Sequence, residues 1–368
     1  MGTGAVTFFL GGDVMTGRGV DQVLPHPSPP GLREPAVHDA RGYVRLAERA
    51  AGAPIPRPVD FAWPWGDALT LLDDSAPDVR LVNLETSVTR SDDYAAEKAI
   101  HYRMHPDNLP CLTAARLDAC ALANNHLLDF GVPGLLETLD ALAGAGLRPV
   151  GAGRNEAQAW RPAVLDVAAG RVLVWSVGLP SSGVLPSWAA TADRAGVAFL
   201  PDATEAGAAR IAECVRREKR PGDLVVVSIH WGSNWGYHVP ANHVRFAHDL
   251  IDAGVDIVHG HSSHHPRPIE IYRNRPVLYG CGDLIDDYEG ISGYESYRND
   301  LKLLYLVDLE PGTGELRRLR LAPMQIRQLR LRHASLSDAQ WLCDVLRRIS
   351  RPYGTSVDRE PDGTIVVS

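Results

Sequence analysis

The 368-residue chain is 45% hydrophobic and 22% charged, a balance that supports one large packed core or two modest ones and excludes a disordered chain. Its formal charge of −8 disfavours nucleic acid as a partner, because binding a polyanion needs a basic surface, and leaves a small anionic substrate held at a local site. The longest apolar runs, Val6–Leu10 and Leu224–Ile229, fall far short of the roughly 20 residues that span a bilayer, so no membrane insertion is expected; no secretory pattern is visible, and a cytoplasmic location is the expectation.

In chain order, the first expected strand, Val6–Asp13, delivers an acid into the turn Gly12–Arg18. The proline-rich stretch Leu24–Trp65 follows with little periodicity and reads as an insertion or lid over whatever Asp13 and Arg18 hold. Further strands are expected at Val79–Glu85, Ala119–Asn125, Arg171–Gly178, Leu224–His230 and Asp256–His261, each a β-rich run that ends in polar residues. Helical periodicity falls between them, at Asp107–Ala115, Val132–Ala145, Thr204–Arg217 and Ala241–Ala253. Strands alternating with helices make an α/β fold, in which ligands collect at the carboxyl ends of the strands. Beyond Met324 an Arg-rich tail adds an expected helix, Ser337–Ile349, capped by Ser337, and a last strand, Thr364–Val367. The implied organisation is a catalytic domain over residues 1–325, with 24–65 as its insertion, and a packed extension over 326–368. Five cysteines without paired spacing fit neither a disulfide framework nor a zinc ribbon.

The polar strand ends carry the chemistry. Asp13 is a hard oxygen ligand in an exposed position or, equally, an acid capping the next turn. Asn83 and Glu85 share one face through the strand's period of two, so Glu85 is either a carboxylate that can bridge two metal ions or a turn acid. Asn124, Asn125 and His126 close a wholly apolar strand, and three successive polar side chains at such a mouth must be satisfied by metal, water or one another. Asn125 offers a neutral oxygen ligand, His126 an acid for a leaving oxygen, and Asp129 an acceptor that orients the imidazole; the competing role is to cap the helix near Pro133. His230 ends a β-branched run, and His259, His261, His264 and His265 crowd the end of the next strand. Imidazoles at i and i+2 on a strand face one side, the spacing a metal site uses. Trp231, Trp235 and Tyr237 after His230 either wall a substrate pocket or fill the core. No Walker-type loop and no Gly-x-Ser-x-Gly elbow occurs.

These motifs, in this order, resemble the CapA family, the poly-γ-glutamate capsule-synthesis proteins of the calcineurin-like metallophosphoesterase superfamily. Gly12-Asp13-Val14-Met15 is similar to the family's opening motif, Asn83-Leu84-Glu85 to its second, Asn124-Asn125-His126 to its third, His230-Trp231-Gly232 to its fourth and Gly260-His261-Ser262-Ser263-His264 to its last. The resemblance runs from Val6 to Tyr288. It implies a four-layer α/β sandwich of the metallophosphoesterase type and two divalent ions; a mixed carboxylate and imidazole set suits Mn, Fe or Zn rather than Ca. Residue by residue, Asp13 and Glu85 would serve one ion, Glu85, Asn125, His230 and His261 the other, and His126 would be the acid. Met15 stands where ordinary metallophosphoesterases carry a His ligand, and His259 or His264 would have to replace it. Asn234 sits where many members carry an acid, so the outer pocket differs. Lys98, Tyr102 and Arg103 match a basic patch that would hold a substrate carboxylate or phosphate.

Three functions follow as expectations. The first is a metal-dependent phosphoesterase in which two metals clamp the phosphoryl group, His126 protonates the departing oxygen and Arg18 or Arg103 binds the remaining charge. The second, which the family's name suggests, is an enzyme or complex member that makes, cuts or modifies poly-γ-glutamate or another γ-glutamyl amide. A third is a binding protein whose metals are structural.

Overall fold

The computed structural model describes residues 4–368. Six strands position the functional residues: β1 (Val6–Val14), β2 (Val79–Leu84), β3 (Ala119–Ala121), β4 (Leu224–His230), β5 (Ile257–His261) and β6 (Asp283–Ile285). Strands buried on both faces read as continuous apolar runs rather than as alternation, which is the pattern of β3 and of Leu224–Val227 in β4; β2 and β5 are as fully buried but include polar residues.

A 10-stranded mixed sheet has β1 near its centre. The strands β2 and β3 and the short strand Arg148–Val150 extend it in parallel on one side. On the other side the antiparallel strands Leu301–Leu309 and Leu316–Ile326 follow, and β6 pairs in parallel with the end of β1. A 6-stranded second sheet places β4 between β5 and the strand Gly170–Gly178, all parallel.

Three apolar interfaces stack these sheets into four layers. Phe9, Leu84 and Leu122 of the first sheet meet Val44, Leu72 and Leu135 of the helices Arg41–Ala51, Ala68–Ser75 and Gly131–Gly144. Phe8, Leu10 and Leu81 turn the other way, against Val174, Val226 and Ile257 of the second sheet. The far side of that sheet is covered by Ile211, Phe246 and Leu250 from the helices Glu205–Glu218 and Ala241–Asp252. Helix, sheet, sheet, helix is the four-layer α/β sandwich expected from the resemblance.

A register shift in β1 places its acid. Along β1, Val6, Phe8 and Leu10 face the second sheet and Phe9 faces the helices, so simple alternation would send Asp13 to the helical side. The irregularity between Gly11 and Asp13 inserts one residue, and beyond it Val14 faces the helices. Asp13 is thereby turned toward the second sheet.

Several expected elements differ in detail. The stretch Leu24–Trp65 contains the helix Arg41–Ala51 and buries Leu24, Val44, Ile55 and Trp65 in the outer core, so it belongs to the helical layer. Its prolines masked the spacing of Tyr43, Val44 and Ala47 in the sequence. Asp107–Ala115 is divided by Pro110 into a 3₁₀ turn and a short helix, Pro110–Thr113. The C-terminal helix runs Leu336–Ser350, and its cap is Ser335, which accepts from the Asp338 amide, not Ser337. The tail shares the main sheet: Ile365–Val367 pairs with Leu319–Leu321. Among the described residues no helix is long and apolar enough to cross a membrane.

Gly12 is where β1 and β6 approach too closely for a side chain. A Cβ at this position would lie 1.7 Å from the Gly282 carbonyl oxygen. Gly12→Ala is expected to push β6 away and cost about 1–3 kcal/mol or more, as overpacking does; a melting temperature equal to that of the wild type would contradict this contact.

Candidate metal centre

The carboxyl ends of β1 to β5 converge with the amino end of β6. Parallel register sets Asp13 beside both Asn83 and Asp283, and His230 beside His261. Asp13, His230 and His261, all buried, each offer one donor atom within 4.8 Å of the others. The Nδ1 atoms of His230 and His261 are 2.8 Å apart, and that of His261 lies 3.8 Å from Asp13 Oδ1. On the other edge of its ring, His230 Nε2 lies 3.1 Å from Asn125 Oδ1 and 3.8 Å from Glu85 Oε1. The His230 ring therefore stands between Asp13 and His261 on one side and Glu85 and Asn125 on the other.

Hydrogen bonds hold these donors in place. Asn83 donates to Asp13 Oδ1 at 2.7 Å, and the Ser262 amide donates to Asp13 Oδ2 at 3.1 Å. Asn124 donates to Asn83 Oδ1 and the Leu84 carbonyl, and accepts from the His126 amide. Asn124 is thus satisfied inside the protein, while Asn125 and His126 turn to a cavity of about 260 Å³ that also borders Glu85, Lys98, Tyr102, Asn234 and His264.

His259 lies behind His261 with both nitrogens engaged. Its Nε2 donates to the Gly11 carbonyl at 2.9 Å, and its Nδ1 is 3.1 Å from Ser228 Oγ. Since a carbonyl only accepts, the proton is on Nε2, and Nδ1 must accept from the Ser228 hydroxyl. Ser228 Oγ in turn lies 2.8 Å from His261 Nε2 and accepts from it. The chain fixes the tautomer of His261 and leaves the lone pair of its Nδ1 facing Asp13 and His230. His259 therefore sets a ligand rather than offering one. His264 has its Nδ1 on Asp283 at 2.9 Å and its Nε2 in the cavity, 3.0 Å from the Asn234 amide nitrogen.

His126 Nδ1 lies 2.6 Å from Asp129 Oδ2, and its Nε2 lies 3.7 Å from Glu85 Oε1. An ionised Asp129 only accepts, so Nδ1 carries the proton and Nε2 points inward. The Tyr102 amide and Lys98 also donate to Asp129. Burial opposes ionisation of Asp129, but His126 and Lys98 outweigh it and hold the carboxyl below its usual range. Burial, with Lys98 and Arg18 nearby, depresses His126 to about 4 against the pull of Asp129, so the neutral imidazole dominates near pH 7. The helix Gly131–Gly144 has Phe130 at its N-cap and no side-chain cap, so His126 does not cap it.

Other expected site residues lie elsewhere. Arg18 is buried behind the Tyr102 ring, bonded to Glu34, Asp287 and Tyr43. The ring is sandwiched, 4.5 Å from the Arg18 guanidinium carbon and 4.4 Å from the His126 ring. Arg103 binds the Ser91 carbonyl and Asp92, and with Arg18 it lines a separate cavity of about 20 Å³. Lys98 borders the main cavity, although its ammonium is held by Asp129 and the Asn125 carbonyl. Trp231 is buried in the outer core of the second sheet, stacked on His243 and donating to the Tyr279 carbonyl; it walls no part of the main cavity. Met15 is buried, with its sulfur 3.8 Å from the Tyr288 hydroxyl.

Sequence reasoning overlooked Asp283, Asp286 and Asp287, three buried acids in the hexapeptide Gly282–Asp287. Their crowding after an apolar strand was the available signal. Lys302, also overlooked, is fully buried and pairs with Asp286.

The charges decide whether metal ions fit. Among the described residues Lys98 pairs with Asp129, Arg18 with Glu34 and Asp287, and Lys302 with Asp286. Among the described residues the salt-bridge partners of Asp13 and Glu85 are imidazoles, with no Lys or Arg among them. Burial, then the Asp283 charge, raises Asp13 to about 7; burial, then Asp13, drives Glu85 well above its usual range. Burial also holds His230 and His261 far below their usual value, so they are neutral. Two uncompensated buried carboxylates facing neutral imidazole and amide donors fit divalent cations.

The fold is a four-layer α/β sandwich with carboxylate, imidazole and amide donors gathered at one edge of its two sheets. The chain belongs to the family described as bacterial capsule synthesis protein PGA_cap, whose model matches residues 7–288. It is 55% identical over 364 residues to a probable polyglutamine synthesis accessory protein of Mycobacterium tuberculosis, covering 98% of this chain and 96% of that one. It is 30% identical over 248 residues to the PGA biosynthesis protein CapA of Bacillus subtilis, covering 67% and 61%. A 5'-nucleotidase precursor structure from Thermus thermophilus aligns with a TM-score of 0.49 at 15% identity, over 95% of this chain and 59% of that one.

Burial holds six imidazoles below their usual value: His126, His230, His243, His259, His261 and His265. In the unfolded chain they take protons near about pH 6.5. Below that pH the unfolded state binds more protons, so stability present at pH 7.5 is lost as the pH falls toward 4. Asp13, Asp21, Glu85, Asp118, Asp286, Glu289 and His264, which are raised, work in the opposite direction, but of the acids only Asp13, Glu85 and Asp286 are raised far, and the six imidazoles outnumber those three. Urea unfolding of metal-free protein should show lower stability at pH 5.5 than at 7.5; equal or higher stability at 5.5 would mean that these imidazoles are not held neutral.

Proposed function

We propose that this chain is a metal-dependent hydrolase that uses two divalent ions, Mn, Fe or Zn, to cut a small anionic phosphoester. The observation that carries this reading is the pair of buried carboxylates, Asp13 and Glu85, without a basic partner and facing donor atoms of His230, His261 and Asn125. Asp13, Glu85, Asn125, His230 and His261 would hold the ions between them, with Glu85 as the shared carboxylate. When bound, the ions supply Lewis acidity toward the scissile group and make water acidic at neutral pH.

The chain's own residues supply the rest. Asp129 holds the proton of His126 on Nδ1 and leaves Nε2 as the atom that exchanges protons with the reacting groups. Because neutral His126 dominates near pH 7, it first accepts a proton at Nε2 from water entering the site and then returns it to the leaving oxygen. Lys98 keeps Asp129 ionised through this exchange, and the Tyr102 ring beside the imidazole excludes water from that side.

A second reading comes from the relatives, whose names attach them to polyglutamine and PGA synthesis. On that reading the same centre acts on a γ-glutamyl amide. A screen of phosphoesters and γ-glutamyl amides with metal-loaded protein separates the two, and turnover of neither class would reject both.

Purified protein should carry two divalent ions per chain. Glu85→Ala and Glu85→Gln should lower that content and the rate together; undiminished occupancy in both variants would reduce Glu85 to a structural acid. His126→Ala should keep the metals and lose about 10²–10⁴-fold in turnover, or roughly 3–5 kcal/mol of barrier. The loss should be large for an alkyl phosphate and small for an activated aryl phosphate, whose leaving group needs no proton. Equal losses on both substrates would reject the proton-transfer role.

A further inference from the structure

Met15 cannot act as the imidazole ligand that ordinary metallophosphoesterases carry at its position. Its sulfur is turned to Tyr288, and the ion beside Asp13 is left short of one donor. The nearest unassigned acid is Asp283, which parallel pairing sets directly beside Asp13. Asp283 is buried and sends Oδ1 to His264 Nδ1 at 2.9 Å. A carboxylate oxygen only accepts, so Nδ1 of His264 carries a proton and Nε2 is left on the side of the cavity that holds Glu85, 3.0 Å from the Asn234 amide nitrogen. The other oxygen of Asp283 is buried without a hydrogen-bond partner; the Lys302 ammonium stands 3.7 Å away and is bonded to Asp286. Lys302 is thus a buried positive charge that keeps Asp283 ionised while leaving Oδ1 to His264.

We propose that Asp283, backed by Lys302, is a positioning residue that turns the Nε2 of His264 inward as the replacement for the ligand Met15 cannot provide. This rests on the two-metal reading above. Carboxylates that hold a ligating imidazole in this way are typically worth about 10–100-fold in metal affinity. The same arrangement explains why the strand end carries an acid: an acceptor alone would orient the ring, but the charge also makes the imidazole a better donor.

Titration of metal-stripped protein with Mn²⁺ tests the proposal without reference to activity. The wild type should take up two ions. Asp283→Ala should keep one at near wild-type affinity and weaken the other about 100-fold, whereas Asp283→Asn, which retains an acceptor for His264, should weaken it about 10-fold. His264→Ala, at the cavity rim, should reproduce the Asp283→Ala loss and guards against a variant that fails to fold. Two unweakened ions in Asp283→Asn and His264→Ala would overturn this inference alone. Equal weakening of both ions in every variant would overturn it too, by pointing to a general structural role. A wild type that binds no Mn²⁺ would overturn the two-metal reading along with it.

Discussion

Asp13 and Glu85 are ionisable groups in a place that opposes their charge. Water is excluded from them, Asp283 adds a further negative charge, and every nearby Lys and Arg is committed to another acid. Removing an ion from water costs several kcal/mol unless something repays it. Only two responses are open to the folded chain: to bind protons, as the raised Asp13 and Glu85 indicate for the metal-free protein, or to bind cations. On the proposed reading the surrounding structure serves the second. Asn83 and the Ser262 amide grip Asp13 without neutralising it, and the imidazoles opposite are held neutral with lone pairs inward.

The neutral imidazoles depend on contacts that cross the gap between the sheets. The path from the Gly11 carbonyl through His259 and Ser228 to His261 begins on β1 in the first sheet and ends on β5 in the second. It sets a tautomer and also clamps the sheets at the edge where Asp13 and His261 must meet. The register shift before Asp13 belongs to the same device, because without the inserted residue the acid would face the helices. Precision in the site follows from backbone register and not from side-chain flexibility.

Motifs at strand ends were legible in the sequence because a polar cluster closing an apolar run has few bland explanations. Asn124-Asn125-His126 and the histidines from His259 to His265 were found that way, while the α/β class came from strands alternating with helices and its layering from the resemblance. The division of labour within each motif was not legible. His259 and His261 share a face by periodicity, yet the first is spent on Gly11 and Ser228 because the facing sheet brings a carbonyl to it, a fact carried by no local pattern. Arg18 and Arg103 looked available for a substrate because their acids, Glu34, Asp287 and Asp92, come from other segments. The helix Arg41–Ala51 was lost among prolines, and the Lys302–Asp286 pair joins a strand to a loop that no short window spans together.

The commitment of the basic residues constrains how a substrate can be recognised. A chain of net charge −8 that handles an anion would be expected to line its pocket with free cations, but Arg18 lies behind Tyr102, Arg103 faces another cavity and Lys98 is tied to Asp129. On the proposed reading, attraction for the anion therefore resides in the metal ions. Charge recognition and chemistry then share one set of atoms. The walls of the cavity, Tyr102, Tyr288 and the Asn234 amide, are left to discriminate shape and hydrogen bonding rather than charge.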